Sequence, residues 1–279
     1  MPLLQDDRAR ALWDDAAPGW NDQSALIQDW LAEPTRAMLD AAAIGPGMQV
    51  LDLAAGAGDQ ACDIARRIGE GSVLVTDISP VMLTLAARNF DAAGLHNARF
   101  ECLDMETLAL EEAGFDAAVC RLGLMFAHHP ARVLHAVRTA LRPGGRFGAL
   151  VFSAPPGNPT LGIIMPIALR HAGQPPRDPF QPGSLMSLGK PGLLEQLFQD
   201  AGFREIRVTR IAAPIRAASV EAYLQFLQSA AAPVRDLLNG MSADIRQAAL
   251  AEMAAALLPF LQDGAFQAGT ELLLASGTA

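Results

Sequence analysis

A run of strand-forming residues that leads straight into a glycine-rich turn constrains the fold of this chain most. Residues 50–59, VLDLAAGAGD, begin with four residues typical of a buried strand and end in a turn that contains Gly56 and Gly58. Residues 60–68 then place apolar side chains at the three- and four-residue spacing of a helix. Glycines let a ligand lie against the main chain, and the unpaired amides of the following helix carry partial positive charge. The stretch therefore predicts a strand–turn–helix unit that binds a cofactor.

This unit alone is compatible with two cofactors. Residues 56–61 match the Gly/Ala variant of the dinucleotide fingerprint, and Asp77 lies about 20 residues further on, where such sites carry a ribose-binding acid. A nicotinamide-dependent oxidoreductase is therefore one interpretation. Asp52, near the end of the strand, favours another, because its carboxylate would crowd a pyrophosphate but could hold an ammonium group directly or through water. A cofactor with a cationic amino-acid part therefore fits this turn better than a dinucleotide does.

The pattern along the following residues predicts an α/β fold. Strand and helix patterns alternate, which is typical of a parallel sheet with helices on both faces. Ligands of such sheets bind outside the carboxyl ends of the strands, so the residues at those ends are the candidates for a site. We expect the further strands at residues 73–77, 98–103, 115–121, 146–152, 204–211 and 266–275.

Residues 52–58, DLAAGAG, resemble motif I of the class I S-adenosylmethionine (SAM)-dependent methyltransferases. Ala54 replaces the commoner glycine, as in the branch that includes the ubiquinone/menaquinone-biosynthesis C-methyltransferases. Three further stretches resemble the family in the same order: the acid Asp77, the acidic loop 104–106, and the turn 142–146 before the fifth strand. The resemblance covers residues 13–152. It implies a Rossmann-like sheet of seven mostly parallel strands, SAM as the cofactor, and methyl transfer to a small molecule.

The resemblance also implies roles for individual residues. Asp77 would accept hydrogen bonds from the two ribose hydroxyls, and Ile78 would pack against the purine. Asp104 would accept from the exocyclic amine of adenine, while the amide of Met105 donates to the ring. Apart from the resemblance, the three tryptophans before the core either pack the arm onto the domain or belong to an arm that covers the cofactor, with Trp20 and Gln28 near its amino-acid end. The full set of expected cofactor-binding residues is Asp52, Ala54, Gly56, Gly58, Asp77, Ile78, Asp104, Met105, Arg121, Trp20 and Gln28; no metal ligands are expected.

Candidate catalytic residues follow the fourth strand. His128 and His129 titrate in the range that suits a general base, which an acceptor needs if it holds its proton at neutral pH. The alternative is that one of them caps the helix beginning at Pro130 and the other is exposed. Arg121 could orient an anionic or enolate-like substrate, or it could form an ion pair with Asp52 or another nearby acid.

The chain divides into four predicted parts: a helical arm over residues 1–44, a SAM-binding core over 45–153, a substrate-covering insertion over 154–192, and the C-terminal part of the core over 193–279, with a helical lid at about 212–264. We expect the arm helix to span residues 22–43 and to break near Pro34. The arm and both insertions should shape an apolar acceptor pocket, for which the candidate lining residues are Leu124, Met125, Phe126, Ile163, Ile164, Met165 and Phe180.

Composition limits the partners. A net charge of −9 argues against nucleic acid or an anionic membrane, because both favour basic surfaces. The three cysteines have no paired spacing, which fits a reducing cytoplasm. We therefore expect a cytoplasmic protein with a small-molecule substrate and no membrane insertion, and a homodimer is compatible with the sequence. A methyltransferase fold that has lost catalysis and serves as a binding or assembly protein is the alternative of a different class.

Overall fold

The computed structural model describes residues 5–110 and 112–279 of the chain, with side chains from residue 7 onward. Residues 1–4 of the predicted arm lie outside this part. The strands are β1 Gln49–Leu53, β2 Ser72–Asp77, β3 Ala98–Cys102, β4 Phe115–Arg121, β5 Leu141–Phe152, β6 Arg204–Ala212, β7 Ile215–Ala217, β8 Leu261–Gln262, β9 Ala265–Ala268 and β10 Glu271–Thr278. The helices are α1 Gln5–Asp22, α2 Ser24–Ala41, α3 Asp59–Ile68, α4 Pro80–Ala92, α5 Pro130–Ala140, α6 Pro159–His171, α7 Leu193–Asp200, α8 Val220–Ser229, α9 Ala232–Asn239 and α10 Ala243–Leu257.

A seven-stranded sheet in the order β3-β2-β1-β4-β5-β10-β6 forms the centre of the molecule. Strands β1 to β5 pair in parallel, whereas β10 runs antiparallel to both β5 and β6. The predicted sheet of seven mostly parallel strands is thereby confirmed. Strand order reverses between β1 and β4, and a ligand site is expected at the carboxyl ends there. Val50, Leu51 and Leu53 of β1 are fully buried, as the apolar run in the sequence requires.

The arm differs from its prediction, because it consists of two helices and the second does not break at Pro34. Pro34 lies inside α2, although a proline in a helix interior costs about 3 kcal/mol. The apolar side of α2, with Ile27, Leu31 and Met38 fully buried, packs against β5 and β10 on both sides of the proline. Burial of this continuous face outweighs the lost hydrogen bond, so the helix continues.

The prediction of one continuous last strand over residues 266–275 is also wrong, because the structure divides these residues between two sheets. Residues Ala265–Ala268 form β9, which lies between β7 and β8 in a small antiparallel sheet. After Gly269 and Thr270 the chain enters β10 of the central sheet. An apolar run shows that residues are buried but does not show which sheet they join, so the pattern gave no sign of the small sheet.

Helices from three separate parts of the chain pack together beside the sheet. The arm helix α1 contacts α4, α8 and α9, while α6 of the 154–192 insertion contacts α9 and α10. Helix α8 also packs on β7 and β9 of the small sheet. The segments predicted to cover the acceptor therefore contact one another. Within the described residues, no helix has both the length and the apolar character needed to cross a membrane.

Candidate cofactor and acceptor site

The turn after β1 has a backbone that only small residues fit. Gly56 and Gly58 have φ values of +58° and +86°, in the left-handed region that favours glycine. A Cβ atom on Gly58 would lie 2.8 Å from the Cβ of Ala86, so this glycine allows α3 and α4 to approach. A Cβ on Gly56 would instead face the indole Nε1 of Trp20 at 3.5 Å. Gly58 thus serves helix packing, whereas Gly56 leaves the main chain accessible beside Trp20.

A cavity of about 320 Å³, here called the cofactor cavity, lies at the carboxyl ends of β1, β2 and β4. Its volume falls at the lower end of the range of ligand pockets. Eight of the eleven predicted cofactor-binding residues line it, and so do His128 and His129. The eight are Trp20, Ala54, Gly56, Asp77, Ile78, Asp104, Met105 and Arg121. Asp52, Gly58 and Gln28 are outside its lining, so the structure does not bring these three to the cavity wall.

Asp77 is held rigidly at the end of β2. Its Oδ2 accepts a hydrogen bond from the Gly56 amide at 2.9 Å, and its Oδ1 accepts from the Ser79 amide at 2.9 Å. Burial raises the pKa of this carboxyl, while the amide hydrogen bonds oppose the rise. A carboxylate has about four lone-pair positions, so both oxygens can still accept hydrogen bonds from a ligand in the cavity.

Asp52 lies beneath the turn and is fully buried. Its Oδ1 accepts a hydrogen bond from Gln60 Nε2, but its Oδ2 has no hydrogen-bond partner among the described residues. Burial raises the pKa of Asp52 to about 7, against the opposing effects of Gln60 and Arg121. An unpartnered buried carboxylate oxygen is stabilised by a nearby cation, so the chemistry of this residue fits the cationic cofactor that the sequence predicts. Because Asp52 is behind the cavity wall, contact through water fits better than direct contact.

Arg121, at the end of β4, joins the arm to the cofactor turn. One guanidinium nitrogen donates to Thr35 Oγ1 of α2 at 2.9 Å, and another lies 4.0 Å from Asp59 Oδ2 at the start of α3. Burial lowers the pKa of Arg121, an effect that Asp59 and Asp52 oppose. Gln28 of α2 donates to the other oxygen of Asp59 at 3.0 Å, which explains its position outside the cavity. The alternative of an ion pair with a nearby acid is therefore realised mainly with Asp59, while Arg121 also lines the cavity.

The acidic loop after β3 contains a residue that the sequence analysis missed. Asp104 Oδ1 accepts the Glu106 amide at 2.9 Å, which begins a short 3₁₀ helix over Met105–Thr107. The carboxylate of Glu106 in turn accepts the amides of His128 at 2.6 Å and His129 at 2.9 Å. Glu106 therefore ties the loop after β3 to the loop after β4. The only signal in the sequence was a second acid in the acidic loop.

The two histidines differ in their surroundings. The His128 side chain is 45% exposed, with Nδ1 3.8 Å from Glu106 Oε1. A Cβ on Gly183 would lie 3.0 Å from the Cε1 of His128, so the 154–192 insertion packs against this ring. His129 occupies the N-cap position of α5, but its side chain makes no capping hydrogen bond. The suggestion that a histidine side chain caps this helix is thus wrong for His129.

A second cavity, here called the acceptor cavity, adjoins the first and has a volume of about 80 Å³. Trp13, Trp20, Leu122 and Phe126 line both cavities, so the two share a wall. All three tryptophans of the chain line the acceptor cavity. Of the residues predicted to line an apolar pocket, Met125 and Phe126 do so, whereas Leu124, Ile163, Ile164, Met165 and Phe180 are outside this lining. Leu124 and Ile164 are instead buried in the core.

Comparison with known proteins identifies the family. A family model described as "Methyltransferase domain" matches residues 50–145. The ubiquinone/menaquinone biosynthesis C-methyltransferase UbiE of Idiomarina loihiensis is 34% identical over 122 residues, which are 43% of this chain and 49% of that protein. The demethylmenaquinone methyltransferase of Deinococcus radiodurans is 30% identical over 165 residues, 56% of this chain and 68% of that protein.

A solved structure, that of the YcgJ protein of Bacillus subtilis, superimposes with a TM-score of 0.59 at 18% identity, over 88% of this chain and 98% of that one. This likeness shows the fold. With the sequence matches, it places the chain in the class I SAM-dependent methyltransferase family. Its sequence relatives include ubiquinone/menaquinone-biosynthesis C-methyltransferases, and the match to the first of them spans about half of that protein's length.

Proposed function

We propose that this protein is an enzyme that transfers the methyl group of SAM to a small, apolar or aromatic acceptor. The observation that carries the proposal is the shared wall between two cavities of different character. One contains the family's cofactor motifs, and the other is lined mainly by aromatic and aliphatic side chains. A donor in the first cavity and an acceptor in the second would meet at Trp20, Leu122 and Phe126.

The positions of the lining residues suggest how the cofactor lies. Asp77 is proposed to bind the ribose hydroxyls, and Ile78, Asp104 and Met105 to surround adenine. The methionine part would then extend toward Gly56, beside Trp20 and Arg121. Asp52 is proposed to stabilise its ammonium group from beneath the turn, with Gln60 holding the carboxylate in place.

Methyl transfer from SAM requires few reactive side chains. When bound, SAM supplies a methyl group on a positively charged sulfur, which an acceptor takes by in-line displacement. The chain must align the acceptor and exclude water, and the aromatic shared wall serves both purposes. Proposed bases are His128 and His129, for acceptors that hold their proton at neutral pH. Both line the cofactor cavity and not the acceptor cavity. They could therefore take a proton only from the part of the acceptor that faces the cofactor cavity.

The arm and the two insertions are proposed to act as the lid of the acceptor cavity. Each contributes to its lining: Trp13 and Trp20 come from the arm, Thr160 from the 154–192 insertion, and Tyr223 and Phe226 from the 212–264 insertion. The predicted part 193–279 would then have two roles, because its strands β6 and β10 belong to the central sheet while residues 212–264 help to cover the acceptor cavity.

Calorimetric titration of SAM tests the cofactor site. Asp77→Ala should weaken SAM binding by about 1–3 kcal/mol, the scale of hydrogen bonds to a charged group. Asp63→Ala, at an exposed acid of α3 that pairs with Arg66, is the matched control and should leave the affinity unchanged. Equal affinities for the wild type and Asp77→Ala would contradict the assignment of Asp77.

Turnover separates an enzyme from a binding protein. The wild type should release S-adenosylhomocysteine with at least one member of a panel of phenols and quinols. SAM binding without turnover on any acceptor would support the alternative of a methyltransferase fold that only binds or assembles. Binding of NADH in place of SAM would overturn the proposal altogether.

A further inference from the structure

The acceptor cavity has an uncharged lining. Among the described residues that line it there is no Asp, Glu, Lys, Arg or His. A charged group moved from water into such surroundings loses several kcal/mol of solvation without a partner to compensate. The lining therefore selects against acceptors that carry a phosphate, a carboxylate or an ammonium group.

Three buried residues of this apolar wall carry a hydroxyl, Thr160, Tyr223 and Thr270, and two of these hydroxyls form a pair. The hydroxyl of Tyr223 in α8 and that of Thr160 in α6 lie 3.1 Å apart, and these residues are 3% and 1% exposed. The Tyr223 ring stacks on Phe266, with ring centroids 4.3 Å apart, which fixes its direction. The two helices come from different insertions, so the pair forms only when both insertions are in place.

One of the two hydroxyl protons is not used in the hydrogen bond between Tyr223 and Thr160. Each hydroxyl carries one proton, and their mutual hydrogen bond uses only one of the two. The hydroxyl that accepts within the pair keeps its own proton, and no other side-chain hydrogen bond of either residue is present in the described part of the chain. Burial raises the pKa of Tyr223 to about 12, so its hydroxyl stays protonated at neutral pH and acts as a donor, not as a base. A buried donor of this kind is satisfied by an oxygen atom of a ligand.

Size and shape narrow the ligand further. The cavity volume, about 80 Å³, is about half of the roughly 150 Å³ of an engineered apolar cavity that holds one benzene molecule, so this cavity has room for no more than a single ring. Its walls include the rings of Trp13, Trp20, Trp30, Phe126 and Phe226. Aromatic walls pack well against a flat ring in offset or edge-on arrangements.

Resting on the proposed function, we propose that the acceptor cavity takes a neutral acceptor that presents a single flat ring with an oxygen substituent. The Tyr223–Thr160 hydroxyl pair donates a hydrogen bond to that oxygen and so determines which acceptors bind. The pair orients the acceptor, and the surrounding rings supply the affinity that does not depend on the oxygen.

Binding of three ring probes tests this inference, with phenol, toluene and benzoate each titrated into the full chain saturated with S-adenosylhomocysteine. Because all three tryptophans line the cavity, their fluorescence reports its occupancy. Phenol and toluene should give saturable changes, and benzoate none. Tyr223→Phe keeps the ring on Phe266 and removes the hydroxyl, so it should weaken phenol about 2–12-fold and leave toluene unchanged. Benzoate binding as tightly as phenol would overturn the inference, and so would a phenol affinity that neither Tyr223→Phe nor the Thr160 variant described next lowers.

A second variant and a matched control complete the test. Thr160→Val removes the other hydroxyl at nearly constant volume and should also weaken phenol more than toluene. Thr139→Val makes the same change in α5, where the hydroxyl donates to the His135 carbonyl of its own helix and has no other side-chain hydrogen bond among the described residues, and it should alter neither probe. Calorimetry with SAM on the same samples separates the two claims. SAM binding with no effect of either hydroxyl variant overturns this inference alone, whereas absence of SAM binding overturns the proposed function.

Discussion

At the scale of single residues, two non-glycine residues of the cofactor cavity have a left-handed backbone. Ala54 follows β1 with φ of +52°, and Leu122 follows β4 with φ of +56°. This conformation costs roughly 1–2 kcal/mol for a residue with a Cβ atom. Hydrogen bonds hold the neighbouring backbone, from the Ala55 amide to Thr76 and from the Leu122 amide to Leu150. The strain therefore lies where the two central strands meet the ligand site, which is a common place for it.

Ala54→Gly tests this strain. The substitution should raise the free energy of unfolding by up to about 1 kcal/mol, because the relief at positive φ exceeds the extra freedom of glycine in the unfolded chain. Ala55→Gly is the control, since Ala55 is 5% exposed and is not among the residues with positive φ. It should lower the free energy of unfolding by about 0.5–1 kcal/mol or more. Denaturant unfolding gives both values, and an equal loss in the two variants would contradict the explanation.

Several site residues could be predicted from the sequence because short motifs carry their positions. The spacing from the glycine turn located Asp77, and the end of the third strand located Asp104. Glu106 was missed because its partners, the amides of His128 and His129, approach only when two loops adopt their final conformations. For the same reason the sequence did not show that Asp52 and Gln28 are outside the lining of the cavity.

At the scale of secondary-structure elements, the alternating pattern predicted the core well and the lid poorly. The strands from β1 to β6 were found because each is a short apolar or alternating run between turn signals. The start of β5 was misplaced, because the strand begins at Leu141 and includes the predicted turn 142–146. The break predicted at Pro34 failed because tertiary burial of α2 overrides a local preference. The division of residues 266–275 between β9 and β10 failed because periodicity reports burial and not the partner strand.

The hydrogen bonds of Glu106 predict that the loop after β3 and the loop after β4 are coupled. Glu106→Gln leaves one carbonyl oxygen where two carboxylate oxygens accepted amides, so the loop after β4 should loosen. Hydrogen exchange of the His128 and His129 amides should accelerate, and SAM affinity should fall by about 2–10-fold. Glu101→Gln, at an exposed position of β3, is the control. Unchanged exchange at both histidine amides would show that the loops are held by other contacts.

At the scale of the whole molecule, the raised pKa of Asp52 makes stability depend on pH. With a pKa of about 7 in the folded chain and an ordinary value of 3.8, Asp52 keeps its proton in the folded state through this window, while the unfolded chain releases it. The free energy of unfolding should therefore fall as pH rises from about 4 to 7. Burial raises the pKa of Asp77 too, which contributes in the same direction.

Asp52→Asn should remove the Asp52 part of this dependence, which amounts to up to about 4 kcal/mol between pH 4 and pH 7. Denaturant unfolding of the wild type and the variant at several pH values measures it, with the exposed Asp63→Asn as control. A difference between wild type and Asp52→Asn that stays constant with pH would mean that Asp52 titrates normally in the folded chain.

Little of the acceptor cavity belongs to the central sheet. Most of its wall comes from the arm, from α6 and from the region of α8 and α9, whereas the cofactor cavity lies at the strand ends. The covering helices can therefore change during evolution, and with them the range of acceptors, while the cofactor cavity stays the same. For an engineer, the same division recommends randomising those helices and leaving every strand untouched.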